Sequence, residues 1–414
     1  MKVNNISTSF KFDKDGLNVS GMDIQKIIDE VGAPLFIYDA DTIKDRYQYL
    51  RDNLPAQMDI FYAVKANTNI AIIKLLVSLG AGVEIASHGE LYACKKVGVD
   101  PKNIVFGGPG KTDLDIEMAI DMGIYAINAE SLGEIRRISR IANKKGVVQD
   151  VELRINPEFE IAGVAVSLGG GSKKFGMDSE TIDDIIKDAQ ELPGVNLQGI
   201  HVFAGTGIKD SQGFLSNLEN CFSLANDINN KHFKVKSIDV GGGIGIPYTD
   251  NDPQFMVDDL KPKIDQLLKE YPFITENGAR IIAEPGRYLV GESGIYISEI
   301  LDIKHSRGTD YIIVDGGAQH LLRPALIGTS QPTFNISKKQ RDFKKFDVGG
   351  NLCTSIDFLG KGLDLPRDSS VGDYIGVFCS GAYGYADNGK FHIIRPRVDI
   401  TTIVDAQSLP EDLI

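Results

Sequence analysis

The chain has 414 residues, of which 42% are hydrophobic and 24% are charged, and its net charge is −13. This composition is typical of a globular enzyme with about two domains. The acidic balance argues against a nucleic-acid or anionic-membrane surface, because both favour basic patches. We therefore expect no nucleic-acid partner and no membrane association.

Three further features bound the class of protein. Residues 1–16 contain no apolar segment of the secretory type, and no run approaches the roughly 18 apolar residues of a membrane span. The cysteines are widely scattered without a CxxC pair, and the histidines show no HxH or HxxxH spacing. That pattern argues against a zinc site. We expect a reduced, cytoplasmic protein without a metal ion.

From Asp59 onward, short β-prone runs alternate with amphipathic stretches of helical length. Eight alternations over roughly 230–250 residues match the size of a TIM-type (β/α)₈ barrel. A doubly wound parallel sheet is the alternative that alternation alone leaves open. Thr112 and Ser131 stand at N-cap positions. The predicted strands are Asp59–Val64, Gly82–Ala86, Asn103–Phe106, Ile124–Ile127, Val151–Ile155, Leu197–Phe203, Ser237–Val240 and Arg280–Ala283. The predicted helices include Asn69–Leu79, Gly89–Val97, Leu114–Asp121, Leu132–Asn143, Thr181–Glu191, Gly213–Asn229 and Pro253–Lys269.

After Gly291 the pattern changes to β-prone runs separated by turns, which predicts a separate antiparallel β domain. Leu35–Tyr38 is a further strand that we assign to it, and we interpret the polar segment Pro332–Lys345 as an exposed connection. The strands predicted here are Ile295–Ile303, Tyr311–Val314, Asp373–Phe378 and Phe391–Ile400. The expected division is an N-terminal segment, 1–35, that joins the β domain, a barrel, 36–288, and the β-rich C-terminal domain, 289–414.

Catalytic groups of a barrel lie at the C-terminal ends of its strands. Lys65 ends the first strand, and a partly desolvated lysine amine forms Schiff bases with carbonyl compounds and pyridoxal phosphate. Most lysines in such places simply reach water. Glu284 follows the eighth strand, where a carboxylate can hold a pyridine nitrogen protonated; a structural Glu–Arg pair is the alternative. Gly241-Gly242-Gly243 is either an anion-binding loop or a tight turn. The other polar or glycine residues that follow strands are Glu84, Asn128, Glu130, Arg154, Asn156, His201, Thr206 and Gly286.

Three positions of the C-terminal part carry reactive or binding side chains. Cys353 lies among small polar residues, although a lone cysteine is most often a small buried hydrophobe. Arg323 is a candidate for binding a carboxylate, and Tyr383 stands on a glycine-rich turn. In the barrel part, Gly169–Gly176 carries two lysines and is either a mobile lid or a solvated loop.

Taken in order, these motifs resemble those of the fold-type III pyridoxal-phosphate decarboxylases, the group of ornithine, arginine and diaminopimelate decarboxylases. The resemblance runs from about Pro34 to Ile400. It is strongest to the diaminopimelate branch and to the relative in butirosin biosynthesis that decarboxylates a glutamyl group carried on an acyl-carrier protein. The motifs are YAVKAN at Tyr62–Asn67, NAES at Asn128–Ser131, KFGM at Lys174–Met177, GGGIG at Gly241–Gly245, EPGRY at Glu284–Tyr288, DGG at Asp315–Gly317, RPAL at Arg323–Leu326 and SGAY at Ser380–Tyr383.

The resemblance implies pyridoxal 5'-phosphate as the cofactor and a role for each matching residue. Lys65 matches the lysine that anchors the cofactor, and Glu284 matches the acid on its pyridine nitrogen. Cys353 matches a proton donor that the partner subunit of a head-to-tail homodimer contributes, so that active sites are shared. The positions that match the surroundings of the phosphate or of the substrate carboxylate are Thr206, Gly243, Arg287 and Tyr383. Additional candidates are Glu84, His201, Gly242 and Gly286 for the cofactor, and Arg287, Arg323, Thr354 and Tyr383 for the substrate.

The chain departs from the diaminopimelate pattern at the distal end of the substrate. Thr354 replaces the glutamate that follows the cysteine, Phe203 replaces a histidine that lies against the cofactor ring, and Ile327 replaces a tyrosine. We therefore expect a decarboxylase whose leading substrate is meso-diaminopimelate, with another or a carrier-protein-bound amino acid as the alternative. A racemase on a similar architecture is a further alternative that Glu284 and Cys353 disfavour. A non-catalytic cofactor-binding protein is another, which the long C-terminal domain that carries Cys353 disfavours.

Overall fold

The structure is a computed structural model that describes residues 9–12, 16–159, 166–167, 171–203, 205–249, 252–328 and 330–384. The chain forms two compact units. Among the described residues, the barrel unit lies within 47–245 and 254–286, and the β unit lies within 9–46, 246–253 and 287–384. Within the described ranges, no helix is long and apolar enough to cross a membrane.

The barrel unit contains eight parallel strands, each hydrogen-bonded to the next, and the eighth pairs with the first. This closed sheet confirms the predicted (β/α)₈ barrel over the doubly wound alternative. The strands are β1 (Met58–Ala63), β2 (Gly82–Ile85), β3 (Ile104–Phe106), β4 (Ala126–Ala129), β5 (Gln149–Asn156), β6 (Val195–His201), β7 (Ser237–Asp239) and β8 (Arg280–Ala283).

Apolar side chains fill part of the barrel interior, where Phe61, Val105, Ala126 and Ile282 form one buried cluster. Helices connect the strands, and the hydroxyls of Thr112 and Ser131 cap two of them as predicted. The helices are Ala40–Asp52, Ile70–Ser78, His88–Val97, Asp113–Met122, Leu132–Lys145, Ile182–Gln190, Ser211–Lys231, Leu260–Glu270 and Phe273–Glu276, with 3₁₀ turns at Val64–Ala66, Pro101–Asn103 and Ser179–Thr181. Two short strands, Val166–Ser167 and Gly205–Thr206, pair with each other, and Met177–Asp178 adds to β5.

The β unit contains a seven-stranded sheet, which confirms the predicted β-rich part of the chain. Leu35–Tyr38 pairs with Gly294–Ser306 in this sheet, as expected. The remaining strands of the sheet are Thr309–Val314, Thr333–Asn335, Phe343–Gly349, Phe358–Pro366 and Tyr374–Phe378. The unit also holds a small sheet of Phe10–Phe12, Leu17–Val19 and Met22–Asp23, the helices Ile24–Val31, Arg287–Val290 and Arg323–Ile327, and the 3₁₀ turn Gly291–Ser293.

The interpretation of Pro332–Lys345 as an exposed connection is wrong at both ends of the segment, because the strand Phe343–Gly349 also begins inside it. Thr333–Asn335 is a buried strand, and Phe334 and Ile336 pack into an apolar core. The basic residues that indicate exposure come after Ser337, and they do not describe the apolar residues that precede them. The predicted strand Phe391–Ile400 lies outside the described residues.

Candidate active site

Lys65 stands directly after β1, in the 3₁₀ turn Val64–Ala66, and contacts the end of the neighbouring strand. Its Nζ lies 2.7 Å from Oε2 of Glu84, whose side chain is buried whereas that of Lys65 is 31% exposed. Burial raises the pKa of Glu84 to about 7, and the Lys65 ammonium acts in the opposite direction. Lys65 is therefore held at the end of the barrel by a carboxyl group that titrates near neutral pH.

Gly107 leaves the room that Glu84 needs. It follows β3, and a Cβ atom at this position would lie 2.8 Å from Oε1 of Glu84. Any side chain at residue 107 would push the carboxyl group away from Lys65.

A second cluster joins the ends of β6, β7 and β8. His201, Asp239 and Glu284 each place a polar atom within 4.8 Å of the others, and all three are buried. The Nε2 of His201 lies 3.5 Å from Oε2 of Glu284. Asp239 accepts hydrogen bonds from the backbone N–H of Gly241 at 2.9 Å and from Nδ2 of Asn128 at 3.3 Å.

The charges of this second cluster are unequal. Burial opposes ionisation of Glu284, but His201 and Lys65 outweigh it and lower the pKa of this carboxyl below its usual range. Burial raises the pKa of Asp239 well above its usual range, and the neighbouring Glu284 carboxylate adds to this effect. Burial also lowers the pKa of His201. Glu284 is thus the ionised member of the cluster.

Glycines bring the backbones of several loops together beside this cluster. A Cβ atom at Gly242 would collide with the carbonyl oxygen of Glu284, and one at Gly243 would collide with that of Gly205. Gly243 also has a φ of 98°, which favours glycine. A Cβ atom at Gly286 would lie 2.9 Å from Cβ of Ala66, next to Lys65. The glycine run is therefore required by close packing of the loops, whatever it binds. Thr206, on the loop that carries Gly205, lies in the short strand that pairs with Val166–Ser167.

Glu130 and Arg154 anchor the described part of the glycine- and lysine-rich loop. Nη1 of Arg154 lies 2.5 Å from Oε1 of Glu130, and the N–H of Gly176 donates to Oε2 of Glu130 at 2.7 Å. The guanidinium of Arg154 also lies 4.7 Å from the ring centre of Phe175. Residues 171–178 are therefore tied to β4 and β5.

In the β unit, the structure brings three of the predicted residues together around a fourth that the sequence did not indicate. The guanidinium of Arg323 lies 4.2 Å from the ring centre of Tyr248, and that of Arg287 lies 4.6 Å from the ring centre of Tyr383. Nη1 of Arg287 also donates to the hydroxyl of Tyr248. Two guanidinium groups so close together form a positively charged cluster suited to an anion.

Cys353 and Thr354 lie in an exposed loop of the β unit, residues 351–356. Cys353 is exposed, so it is not the buried hydrophobe that a lone cysteine usually is. The buried carboxylate of Asp357 holds the loop, accepting from the N–H of Leu352 at 2.8 Å and from that of Ala318 at 2.6 Å.

Comparison with known proteins supports this geometry. Residues 40–291 match the model of the family described as pyridoxal-dependent decarboxylase, pyridoxal binding domain. The match covers more than half of the chain and includes the whole barrel with Lys65 and Glu284. The chain belongs to the pyridoxal-dependent decarboxylase family.

Relatives in this family match nearly the entire chain. A diaminopimelate decarboxylase of Aquifex aeolicus is 33% identical over 93% of this chain and 90% of its own length. The L-glutamyl-[BtrI acyl-carrier protein] decarboxylase of Niallia circulans is 32% identical over 94% of this chain and 97% of its own length. The crystal structure of a diaminopimelate decarboxylase from M. jannaschii in complex with L-lysine is 29% identical, with a TM-score of 0.82 over 93% of this chain and 90% of that one.

The barrel residues fit the pyridoxal phosphate that this decarboxylase family uses. Among the described residues, Oε1 of Glu284 has no hydrogen-bond partner, and His201 has none beyond the 3.5 Å approach to Glu284. A buried, ionised carboxylate with an unused oxygen suits a protonated ring nitrogen. Lys65 supplies a partly exposed amine at the same end of the barrel.

Sequence reasoning missed Asp239, Glu152 and Tyr248. Asp239 lies in a predicted strand, two residues before the glycine run, and it ends β7, so the rule that selected Glu84 and His201 also points to it. Glu152 stands out as a charged residue between Val151 and Leu153 in a buried strand. Tyr248 carries no signal of this kind, because it lies in an irregular segment.

Proposed function

We propose that this pyridoxal-dependent decarboxylase removes an α-carboxylate from meso-diaminopimelate. The observation that supports this choice of substrate is the similarity to the diaminopimelate decarboxylase of Aquifex aeolicus over 93% of the chain. The lysine bound to the M. jannaschii relative is the product that this reaction yields. The family match favours decarboxylation over the racemase and over the non-catalytic alternative.

The proposed roles follow from the barrel geometry. When bound, pyridoxal phosphate withdraws electrons from the substrate's α-carbon, so that the bond to the carboxylate breaks. Lys65 Nζ binds the cofactor, and Glu84 orients that amine. The ionised Glu284 accepts a hydrogen bond from the protonated ring nitrogen. Gly242, Gly243 and Gly286 let the backbone approach the cofactor closely, and the buried His201 helps to exclude water around Glu284.

The roles of the remaining residues stay predictions from the resemblance. Thr206, Arg287 and Tyr383 bind the phosphate or the substrate carboxylate, and Arg323 and Thr354 bind the substrate. Cys353 Sγ returns a proton to the α-carbon in the site of a partner subunit, which makes the enzyme a homodimer. We place the enzyme in the cytoplasm.

A carrier-protein-bound glutamyl group is the second candidate substrate. It is favoured by Thr354, by Phe203 and by the 32% identity to the L-glutamyl-[BtrI acyl-carrier protein] decarboxylase. Measuring CO₂ release from free diaminopimelate, other free amino acids and a glutamyl carrier protein separates the two. We expect CO₂ release from diaminopimelate. CO₂ release from the carrier-bound substrate alone would show that the second candidate is the substrate.

The role of Lys65 is tested independently of the substrate. Borohydride reduction of the protein loaded with pyridoxal phosphate, followed by peptide mapping, is expected to place the label on Lys65. Lys65→Ala is expected to lower CO₂ release by at least about 10³-fold, because nucleophile and anchor are lost together. Lys74→Ala, an exposed lysine of the next helix, is the control. Label on another lysine would contradict the assignment.

A further inference from the structure

Glu152 is a buried acid for which the proposed reaction has no use. It lies within β5 and its side chain is fully buried. Neither of its carboxyl oxygens has a well-aligned hydrogen-bond partner among the described residues, and the same is true of Oδ1 of Asn128. The hydroxyl of Ser237 is near enough to act on Glu152 as a hydrogen-bonding group, and it lowers the pKa of Glu152 against the larger opposite effect of burial. An ionised carboxylate in such a place bears a large desolvation cost, whereas a neutral acid bears a much smaller one.

Glu152 belongs to the same part of the barrel interior as the cluster around Glu284. In the sheet register it is directly opposite Asn128 on β4. Asn128 donates to Asp239, and Asp239 approaches Glu284 within 4.8 Å. We call Glu152, Asp239 and Glu284 the interior carboxyl cluster.

The basic groups near this cluster are too few for three negative charges. Lys65 pairs with Glu84, Arg154 pairs with Glu130, and Arg280 pairs with Asp59. His201 lies beside Glu284, but burial lowers the pKa of His201 and so favours its neutral form. The titratable or polar groups around Glu152 are Tyr125, which precedes β4, Asn128 of β4, Asp150 of β5 itself, Ser237 and Asp239 of β7, Arg280 of β8, and Glu284, which follows β8.

We propose that Glu152 is a neutral carboxylic acid inside the barrel and that, with a neutral Asp239, it leaves the negative charge of the interior carboxyl cluster on Glu284. Three ionised carboxylates in this buried region would repel one another, and the basic groups around them already pair with other acids. Protonation of Glu152 and Asp239 removes this repulsion and adds two O–H donors to the cluster. Burial, which raises the pKa of Glu152 to about 8, supports the same distribution.

Glu152 is on this account a positioning residue that acts through Asp239. A neutral Asp239 can donate a hydrogen bond to Glu284, which stabilises the ionised form of Glu284 and fixes its orientation. This positioning role of Glu152 rests on the proposed role of Glu284 at the cofactor's ring nitrogen. The protonation of Glu152 does not depend on that role.

Infrared spectroscopy of the cofactor-free protein tests the protonation directly. With isotope-labelled glutamate, the difference between wild type and Glu152→Gln at neutral pH is expected to show the C=O band of one carboxylic acid. That band should give way to carboxylate bands as the pH passes about 8. If Glu152→Gln does not fold, Glu152→Asp removes the same labelled group. A difference spectrum that contains only carboxylate bands would overturn the proposal.

The affinity for pyridoxal phosphate tests the positioning role of Glu152. Glutamine keeps a neutral donor at residue 152, so Glu152→Gln is expected to weaken pyridoxal phosphate binding by less than about threefold, against about tenfold for Glu152→Ala. Equally large losses in both variants would show that a neutral side chain cannot replace Glu152 and would contradict the proposal, and an unchanged affinity in both would show that Glu152 does not position Glu284. The variant Glu284→Gln separates the proposed role of Glu284 from the proposed protonation of Glu152. If it leaves the cofactor's affinity and absorbance unchanged, the proposed role of Glu284 fails, while the infrared result on Glu152 still stands.

Discussion

The contact between Lys65 and Glu84 depends on a residue that carries no functional group. Gly107 lies beside Glu84 in the barrel, and its missing side chain gives the carboxyl group the space to reach Lys65. Since the ion pair is only partly buried on the lysine side, its value lies in orienting the amine rather than in stabilising the fold.

We predict that Gly107→Ala impairs the enzyme through Glu84. The added methyl group would displace the end of a flexible side chain, so the fold should tolerate it while cofactor affinity falls by about tenfold. Glu84→Gln should cause a similar loss, and the double variant should lose little more than either single one. Gly133→Ala is the control, because its Cβ would meet Oγ of Ser131 at an ordinary 3.7 Å. Fully additive losses in the double variant would show that Gly107 acts by another route.

At the scale of elements, one side chain joins the starts of two successive helices. The hydroxyl and N–H of Thr112 both donate to Oδ2 of Asp115 at the start of Asp113–Met122. Oδ1 of the same carboxylate accepts from the N–H and ring of His88, where His88–Val97 begins. The two helices follow β2, which contains Glu84, and β3, which Gly107 follows, so Asp115 ties together the chain segments that leave these two strands.

We predict that Asp115→Asn lowers the free energy of unfolding by about 1–3 kcal/mol at neutral pH, because a buried, multiply bonded carboxylate is lost. Burial opposes ionisation of Asp115, but its hydrogen bonds with Thr112 outweigh this and lower its pKa. The stabilisation is therefore present above the ordinary value of 3.8 and is lost as the pH falls through the lowered pKa. Urea unfolding of wild type and variant between about pH 3 and 7 checks this. The exposed Asp121→Asn should change stability by less than about 0.5 kcal/mol, and a difference that grows in acid would contradict the prediction.

The sequence predicted elements best where a strand is buried on both faces. Most of the barrel strands contain a short apolar run, and each predicted strand lies within two residues of the observed bounds. Phe358–Pro366 gives no clear strand pattern, because buried and exposed residues do not alternate regularly along it and it contains two glycines. Thr333–Asn335 could not be predicted, because three residues are too few to show a strand pattern and the segment that follows is basic.

At the scale of the whole molecule, the sequence likewise predicts only those residues of the candidate site that have a recognisable local pattern. Lys65 and Glu284 could be predicted because both follow a strand, a place that barrel topology makes functional. Asp239, which follows the same rule, was overlooked beside the more conspicuous glycines. Glu152 lies inside a strand, and Tyr248 meets two arginines only through tertiary structure, so no local pattern indicates either one.

The proposed homodimer draws support from the loop that carries Cys353. Leu352 and Ile356 flank the cysteine and are 43% and 63% exposed, which is unusual for large apolar side chains that border a proposed catalytic group. A second copy of the chain that takes up this loop would cover them. This arrangement predicts that neither copy can complete its own active site.

Mixing two inactive variants tests whether the sites are shared. Lys65→Ala retains Cys353, and Cys353→Ala retains Lys65, so a mixed dimer with shared sites contains one site that has both residues. Random reassociation then restores about a quarter of wild-type CO₂ release, since half of the dimers are mixed and each has one working site. Lys65→Ala mixed with the double variant should restore nothing. If the first mixture also stays inactive although mixed dimers form, Cys353 serves its own chain or no site at all, and the head-to-tail proposal is wrong.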